Sequence, residues 1–563
     1  MRNIGPLAIA FLTGLYLPSV ASAVDVEIPG TVRSTVGITR KDTPIEALLP
    51  ADGNRLDDPR LRILLVGSLD GSAESKANVL AATHWFYTAD DAAVLRKQFT
   101  LAAVPCGNPD GLAAKIGPAN GSGGNPSTGY PPQKGFYDSP TDPEAAYLWR
   151  WIGMYGPDFV FEIHKSDRRR EVPEKNGLIA ALKTNAASDV GTVPGMALGA
   201  SADDKENWLK PLLAELPNSK LSRSPSHEEL LRRHQREPLA VAQELSSIYG
   251  HKLDQVAYIP AVAVMGRLRQ MEITGNRSQR PEIDELLAPY YRGEKDTTPK
   301  AGNEQSGHLI FAEMARVTSG QKQQRYVELC RVAADQIFDG SSKPLPLMPF
   351  HLEMSDAVFM AGPILCATGK LTGERKYFDA AATHLAGMRK LCLREDGIYR
   401  HSPLDESAWG RGNGFPALGL ALCLSDFPED LPAREELLKE FCAHMTALKK
   451  HQDSSGCWRQ VIDKPAAYRE FTATCMIGFA MLRGIDRGWL AREEYAEPVR
   501  RAWEAVKLRI GPDGKLVDVC TGTGKMKSLR EYYDRPAILG QDDRGGAMGL
   551  LFSVEMLECG GRL

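Results

Sequence analysis

The stretch Gly397–Phe415 holds side chains that can grip a charged sugar. It places His401, Trp409 and Arg411 within eleven positions, between glycines that break any single helix. A Trp face can pack on a sugar ring, and a guanidinium can bind a carboxylate through two parallel hydrogen bonds. On its residues alone, the stretch is equally consistent with a loop that holds a buried Trp and a surface Arg.

Two further positions are candidates for the same site. Asp356 precedes an apolar helical run, and a carboxyl group there can give a proton to a substrate and later take one from water. The same placement is typical of a helix N-cap, so a capping role is the alternative. Trp458 is consistent either with stacking on a neighbouring sugar or with a place in the core.

The elements that must position these residues are helices. After residue 300, helical periodicity recurs with Gly-rich loops between the segments and almost no strand pattern. This succession predicts a ring of paired helices with a central groove built from loops and helix N-termini. The predicted segments are 308–317, 324–337, 356–368, 376–392, 415–423, 433–450, 471–483, 491–508 and 545–557.

The N-terminal half has a different pattern. Apolar runs at 62–68, 99–105 and 157–164 end at Gly, Pro or a polar residue, and helical spacing at 77–86 and 144–155 lies between them. Alternating strands and helices predict an α/β domain with a mostly parallel sheet. We therefore predict a signal peptide at 1–23, an α/β domain at 24–275, a polar linker at 276–300 and an all-α domain at 301–563.

The C-terminal half resembles the unsaturated rhamnogalacturonyl hydrolases, glycoside hydrolase family 105. Five blocks carry the resemblance in the family's order: 354–363 with 372–378, 397–415, 468–474, 483–490 and 521–524. The resemblance implies an (α/α)6 toroid that removes a Δ4,5-unsaturated uronic acid from pectin-derived oligosaccharides without a cofactor.

The same resemblance implies roles for individual residues. Asp356 falls on the family's acid/base, His401 on a substrate-binding His, and Trp409 and Arg411 on its Trp and Arg. One departure concerns a second acidic residue of the groove, because the corresponding stretch 301–307 has no Asp. We therefore expect a barrel shortened at its start, with Asn303 or Glu304 nearest to the missing acid.

Residues 60–170 resemble the zinc carboxypeptidases. His164 stands at the position of the family's later zinc-binding His, after the strand 157–164. The earlier His-x-x-Glu pair does not survive, because Asp70 occupies the His position and Glu74 comes one residue late. The set can in principle still bind zinc, since carboxylates are acceptable ligands. We expect instead a scaffold without metal or catalysis.

Composition and the N-terminal pattern indicate which partners and which location to expect. A net charge of −3 over 563 residues gives no reason to expect nucleic acid or an anionic membrane as a partner. Met1–Asn3, the apolar run 4–17 and Ala21–Ala23 have the pattern of a secretory signal, which predicts a secreted or periplasmic protein with no span after its removal. Nothing in the sequence predicts the oligomeric state or assigns disulfides among ten cysteines.

These observations favour an exported glycoside hydrolase that acts on unsaturated pectin-derived oligosaccharides. Two alternatives stay open at this point. One is a metallocarboxypeptidase-like activity of the N-terminal half, and the other is a carbohydrate-binding protein that keeps Trp409 and Arg411 without turnover.

Overall fold

A computed structural model describes residues 27–53, 55–132, 137–167, 169–172, 177–201, 203–205, 207–216 and 221–563. The predicted signal peptide lies outside these residues. Within them, none of the helices has the length and apolar character that a membrane crossing requires. All ten cysteines belong to the described part of the chain, and each is a free thiol.

The N-terminal half is built on a mixed, mostly parallel sheet. Its strand order is β1-β2-β4-β3-β5-β7-β6, in which β4, β3, β5 and β7 run parallel and β1, β2 and β6 pair antiparallel at the two sides. The central strands read as continuous apolar runs because helices cover both faces. The strands are β1 (Thr31–Ile38), β2 (Pro44–Pro50), β3 (Leu61–Gly67), β4 (Phe99–Val104), β5 (Phe159–Lys165), β6 (Arg170–Glu171) and β7 (Gly195–Ala200).

The helices around this sheet begin with capping residues. Ser72, Asn108, Asp142 and Ser224 each accept a backbone N–H of the first turn of the helix that follows. The helices of this half are α1 (Ala73–Thr88), α2 (Ala93–Arg96), α3 (Pro109–Ala114), α4 (Pro143–Tyr155), α5 (Leu178–Thr184), α6 (Leu209–Glu215) and α7 (Pro225–His234).

The rest of the chain is a closed double ring of helices. The inner ring runs α9, α11 with α12, α14, α16, α18 and α21, and each inner element contacts the next until α21 returns to α9. The outer helices are α8, α10, α13, α15, α17 and α19. The bounds are α8 (Pro238–Ser246), α9 (Tyr258–Thr274), α10 (Arg280–Tyr291), α11 (Gly302–Gly307), α12 (Leu309–Arg316), α13 (Gly320–Ala334), α14 (Ala357–Thr372), α15 (Arg375–Cys392), α16 (Gly410–Asp426), α17 (Ala433–Lys449), α18 (Phe471–Asp486), α19 (Arg492–Leu508), α20 (Leu529–Tyr533) and α21 (Asp543–Cys559).

Short elements complete the helical part. Two small antiparallel pairs join β8 (Trp458–Arg459) with β9 (Arg469–Glu470), and β10 (Leu516–Cys520) with β11 (Ala537–Gly540). Turns of 3₁₀-helix lie at Asp90–Ala92, Asp335–Ile337 and Pro512–Gly514.

The ring corrects two predictions about domain organisation. The predicted linker 276–300 contains α10, whose Ile283, Leu287 and Tyr290 are buried in the core of the ring. The same continuous core begins at Val241, so α8 to α10 belong to the helical domain and not to the α/β domain. The barrel is therefore not shortened at its start, because the element that seemed missing is α9.

The two halves share a hydrophobic core. One cluster contains Val36, Leu64 and Tyr147 of the sheet domain together with Trp409 and Tyr532 of the helical domain. Burial of such a continuous apolar surface stabilises both halves in proportion to the area removed from water. The sheet domain is thus packed directly against the end of the ring that carries the candidate residues.

Candidate active site

The starts of the inner helices converge at one end of the ring. Tyr258 begins α9 and packs edge-on against Phe359 of α14 and Phe415 of α16, with ring centroids 6.0 and 5.6 Å apart. Asp356 lies directly before α14, and Trp409 directly before α16. We call this end of the ring the mouth. It gathers polar side chains at helix N-termini, where backbone N–H groups favour negative charge.

Asp356 is almost completely buried at the mouth. Its carboxylate caps none of the first N–H groups of α14, so the capping role that the sequence allowed is not its role here. Its Oδ1 lies 3.4 Å from Nε2 of His401, longer than a well-formed hydrogen bond, and neither atom has another hydrogen-bond partner among the described residues. A buried carboxyl oxygen left open in this way is available to a substrate or a proton.

The neighbours of Asp356 are held by close backbone contacts. Ser355 donates two hydrogen bonds: its N–H donates to the carbonyl of His401 at 2.9 Å and its hydroxyl to the carbonyl of Gly412 at 2.6 Å. A Cβ added at Gly412 would lie 3.1 Å from the Ser355 hydroxyl and from the Trp409 ring. A side chain at position 412 would therefore be tightly packed, and the glycine allows Ser355 and the Trp409 ring to approach the backbone closely.

His401 is buried as a neutral imidazole. Burial lowers its pKa, and the charges of Arg535 and Arg411 act in the same direction, against the carboxylate of Asp356. Its Nδ1 lies 2.8 Å from the hydroxyl of Tyr532, whose pKa burial raises to about 12. The Tyr532 hydroxyl accepts the N–H of Met526, so its proton is free to point to Nδ1. This arrangement leaves the imidazole proton on Nε2, facing Asp356.

Trp409 and Arg411 are also buried, and both contact other groups of the protein. The guanidinium carbons of Arg411 and Arg535 lie 4.7 and 4.6 Å from the centroid of the Trp409 ring. Arg411 donates to the carbonyl of Cys520 at 2.8 Å and to the carbonyl of Gly522. The sequence predicted that these two side chains bind a sugar, and that role stays a prediction, because in this structure they contact the protein itself.

One segment, residues 520–535, supplies most of these contacts, and we call it the cover segment. It is fastened to the sheet domain at the turn after β1. Arg40 binds both carboxylate oxygens of Asp534 at 2.8 Å, and Arg530 donates to the carbonyl of Thr39 at 2.9 Å. The sheet domain therefore holds in place the segment that closes the mouth.

Trp458 does not belong to the site. It is completely buried in the core of the ring, and its indole N–H donates to the carbonyl of Leu448 at 2.7 Å. The predicted role in substrate binding is therefore wrong, and the core alternative is confirmed. The reason is local: β8 pairs with β9 and turns the indole inward beneath the mouth.

A small cavity of about 350 Å³ opens beside Tyr258, and it contains residues that sequence reasoning missed. Asn303, Asp542 and Arg544 line it together with Tyr258. Burial raises the pKa of Tyr258, and the charges of Arg411, Arg544 and Asp356 all act on its hydroxyl. Asn303 was predicted to lie near the position of the second acid. Asp542, which caps α21, supplies a carboxylate to the same cavity.

The sequence signal that could have found these residues is their position at the start of a helix. Tyr258 begins α9 and Asp542 directly precedes α21. Tyr258 lies within the segment that the sequence predicted to be α/β, which hid its place in the ring. Glu304, the other predicted substitute for the missing acid, accepts the backbone N–H of Lys300 at 2.7 Å and does not line the cavity.

Each of the predicted zinc ligands of the sheet domain already has a polar partner within the protein. Asp70 accepts the backbone N–H groups of Ser72 and Lys165, at 3.0 and 3.3 Å. The ammonium of Lys165 lies 2.9 Å from Glu74. Nε2 of His164 lies 3.0 Å from the carboxylate of Glu162. Among the described residues, no group of three or more His, Cys, Asp or Glu has the arrangement of a metal site.

Comparison with known proteins assigns the helical part. The model of Glycosyl Hydrolase Family 88 matches residues 241–559, which is more than half of the chain. The chain belongs to this family. The family 88 region begins where the core of the ring begins, and it contains Asp356, His401, Trp409 and Arg411. The sheet domain lies outside it.

Curated relatives match the family 88 region in part. An unsaturated 3S-rhamnoglycuronyl hydrolase of Formosa agariphila is 30% identical over 182 residues, which cover 29% of this chain and 48% of the relative. The unsaturated rhamnogalacturonyl hydrolase YesR of Bacillus subtilis is 27% identical over 225 residues, covering 37% and 61%. The chain thus spans about half the length of the curated relatives it matches.

Solved structures give a weaker match to the same region. A possible member of glycoside hydrolase family 105 from Salmonella enterica is 21% identical with a TM-score of 0.49, over 57% of this chain and 93% of that one. At this level the likeness says nothing about the reaction of a family 88 chain.

Proposed function

We propose that the protein is an exported hydrolase that removes a Δ4,5-unsaturated uronic acid from rhamnogalacturonan-type oligosaccharides, with Asp356 as acid and base. One observation carries the proposal. In a family 88 ring, Asp356 is a buried carboxyl that caps nothing and faces a neutral His401 at the mouth. Relatives named as hydrolases of unsaturated rhamnoglycuronyl and rhamnogalacturonyl groups support the choice of substrate.

The chemistry that such a site performs begins with a proton. The double bond that reacts belongs to an enol ether, so Asp356 in its acid form gives its proton to the alkene carbon remote from the ring oxygen. The electron pair of the double bond forms the new C–H bond, and the ring oxygen stabilises the positive charge left on the other carbon. Water attacks that carbon and gives a proton back to the Asp356 carboxylate. The resulting hemiketal opens by breaking its bond to the ring oxygen, which leaves a ketone at that carbon and a hemiacetal at the anomeric carbon. Collapse of the hemiacetal to an aldehyde breaks the glycosidic bond and releases the aglycone as an alcohol.

His401 positions Asp356 in this scheme. Its Nε2–H faces the carboxylate that forms when the proton leaves, so the charge is stabilised as it develops. Because burial lowers the pKa of His401, the imidazole does not itself compete as a proton donor near neutral pH. Tyr532 fixes the tautomer through Nδ1.

Binding of the uronate requires Arg411 to exchange its partners. A carboxylate is a stronger acceptor for a guanidinium than the two carbonyls of Cys520 and Gly522, because the interaction is charge-assisted and bidentate. We propose that the cover segment moves aside when substrate enters, which frees Arg411 and one face of Trp409.

The test is turnover by the purified full-length protein. Hydrolysis is followed as the loss of enol-ether absorbance on lyase-generated rhamnogalacturonan fragments. Asp356→Asn keeps the shape but removes the proton, and we expect turnover to fall by about 10² to 10⁴-fold. Glu406→Gln, a change on the exposed surface of the same stretch, should leave turnover unchanged. Full activity of Asp356→Asn would refute the assignment.

A second candidate, a carbohydrate-binding protein without turnover, is favoured by one observation. The cover segment accepts the hydrogen bonds of Arg411 and places Arg535 over the Trp409 ring, which hinders a productive position of the substrate. If the cover segment moves far enough for a sugar to reach Trp409 but not Asp356, fragments would bind and none would be hydrolysed. Binding of the fragments without loss of enol-ether absorbance in the wild-type protein is the result that would select this candidate.

For the sheet domain we propose a carboxypeptidase-like scaffold that carries no catalytic metal. The mixed sheet with His164 near the carboxyl end of β5 supports the likeness. The ion pair between Lys165 and Glu74 supports the loss of metal, since it places a positive charge among the former ligand positions. Release of amino acids from peptides, lost with a chelator, would favour a metallocarboxypeptidase instead.

A further inference from the structure

A large cavity lies between the sheet domain and the ring. It has a volume of about 1010 Å³, which is the size of a ligand-binding pocket. Its walls come from β1, β2 and α4 on one side and from α19 and the residues around Arg469 and Arg509 on the other. It shares no lining residue with the cavity beside Tyr258, and Asp356 and His401 do not line it.

The charges of this interdomain cavity are unbalanced. Its described lining contains seven arginines and four carboxylates. The carboxylates are already paired, for example Asp518 with Arg150 at 2.6 Å and Glu497 with Arg500 at 2.9 Å. A positively charged cavity in a chain with a net charge of −3 is a local feature and not a consequence of overall composition.

Three of the arginines have no carboxylate partner within 4 Å among the described residues. Arg62 donates to the carbonyls of Arg55 and Tyr155, Arg509 to the carbonyl of Ala505, and Arg501 to the carbonyl of Asp453. Arg62 and Arg509 are only 2% and 3% exposed. The nearest carboxylates compensate the buried guanidinium groups of Arg62 and Arg509 only from beyond 4 Å, so an anion in the cavity would add a closer counter-charge.

The unpartnered polar atoms of the same lining are all potential donors. The Nε atoms of Arg62 and Arg509 and the hydroxyls of Tyr155 and Tyr468 have no hydrogen-bond partner among the described residues, and each belongs to a side chain that is more than nine-tenths buried. A ligand that satisfies them must be rich in acceptor oxygens.

Aromatic side chains add flat apolar faces. Trp151 stacks on Tyr155 with ring centroids 5.0 Å apart and an interplanar angle of 9°, and Trp503 lies on the opposite wall. Pyranose rings present C–H faces to such side chains and hydroxyl oxygens to donors at their edges. Arginines bind their carboxylates in a fork geometry.

From these contacts we propose that the interdomain cavity is a second carbohydrate site, which binds an acidic oligosaccharide that carries uronate groups. The choice of uronates among anionic sugars rests on the proposed function, because the substrate of the mouth carries them. The site holds a chain of the same chemistry away from Asp356, without hydrolysing it, and so keeps the enzyme on an acidic polysaccharide.

The test uses saturated trigalacturonate, which has no enol ether, so that binding does not depend on turnover. Isothermal titration of the full-length protein should show binding that weakens as salt is raised. Arg501→Gln should raise Kd about tenfold, and Tyr155→Phe, which removes only a hydroxyl, about fivefold. Arg375→Gln, the same charge change on the surface of α15, should leave Kd unchanged.

Other results would overturn the proposal. They are an absence of binding, a Kd that neither cavity variant changes, or equal affinity for neutral cellotriose. Failure of the proposed function is distinguishable from all three, because it appears as missing turnover in the wild-type protein. Tyr155→Phe should also leave the turnover of short fragments unchanged, which separates the cavity from the mouth.

Discussion

The mouth of the ring and the strand ends of the sheet domain both contain acidic and imidazole side chains. The two places differ in whether those side chains have hydrogen-bond partners within the protein. At the mouth, Asp356 Oδ1 and His401 Nε2 are buried and face each other without a proper hydrogen bond. At the strand ends, Asp70 accepts two backbone N–H groups and Glu74 binds Lys165. Buried polar groups without partners are rare enough in native proteins to mark a candidate functional site, whereas groups with internal partners give no such signal.

The largest effect is expected when part of the ring is removed. A fragment of residues 301–563, which starts at the boundary that the sequence suggested, lacks α8, α9 and α10. Because α9 closes the inner ring between α21 and α11, we expect the fragment to have no cooperative unfolding transition. Thermal unfolding followed by circular dichroism, with the full-length chain as control, measures this. A sharp transition in the fragment would show that α9 is dispensable.

The second prediction concerns the partner of His401. Tyr532→Phe removes the hydroxyl that donates to Nδ1, so the imidazole is no longer held in the tautomer that faces Asp356. We expect kcat to fall about tenfold, with a changed pH profile and little change in KM. Tyr533→Phe, at the adjacent position, is the matched control. Equal effects of the two variants would mean that Tyr532 acts only through packing.

The two halves should respond to pH in opposite directions. Burial lowers the pKa of His308 and of His384 to about 4, so the folded ring binds fewer protons than the unfolded chain. Its stability is complete above about 6.5 and is lost as the pH falls towards about 4. Burial raises the pKa of Glu144 in the sheet domain, so stability there is complete below about 4.5 and is lost as the pH rises.

Hydrogen exchange read by mass spectrometry distinguishes the two regions. Protection in the ring should decrease first at pH 5, and protection around α4 should decrease first at pH 9, after correction for the intrinsic exchange rate. Glu144→Gln should reduce the loss at high pH. If both regions weakened at the same end of the pH range, the assignment of these groups would be wrong.

The smallest expected effect is that of metal. Because Lys165 occupies the space near Glu74, chelation should change neither turnover nor Tm, and added zinc should bind without affinity above that of exposed histidines. Elemental analysis of the purified protein checks this. Stoichiometric zinc that disappears in Asp70→Asn would place a metal site at the strand ends after all.

Much of the ring could be predicted because its helices are long and periodic. The segments expected at 376–392 and 433–450 are α15 and α17, within one residue at each end. By contrast, α9 is buried nearly all round and has a proline in its first turn, so its sequence shows no amphipathic stripe. The polar residues of 276–300 include the exposed face of α10, and their composition is also typical of a linker, which is why the sequence predicted one.

The site was predictable in its residues and not in its contacts. The spacing of His401, Trp409 and Arg411, with glycines on both sides of Arg411, indicated one cluster, and the structure brings the three side chains together with Asp356. The partners of Arg411 lie more than a hundred residues further along the chain, in a segment with little regular structure. No local sequence pattern indicates such a long-range contact. The sequence likewise left open whether Trp458 stacks on a sugar or lies in the core.

The ion pair between Arg40 and Asp534 has a consequence for how this protein can be engineered or can evolve. The sheet domain holds the cover segment over the candidate site of the ring, so exchanging the sheet domain for one from a different protein would change how firmly that segment is held. Residues of one domain, at the turn after β1, would then control access to the candidate site of the other.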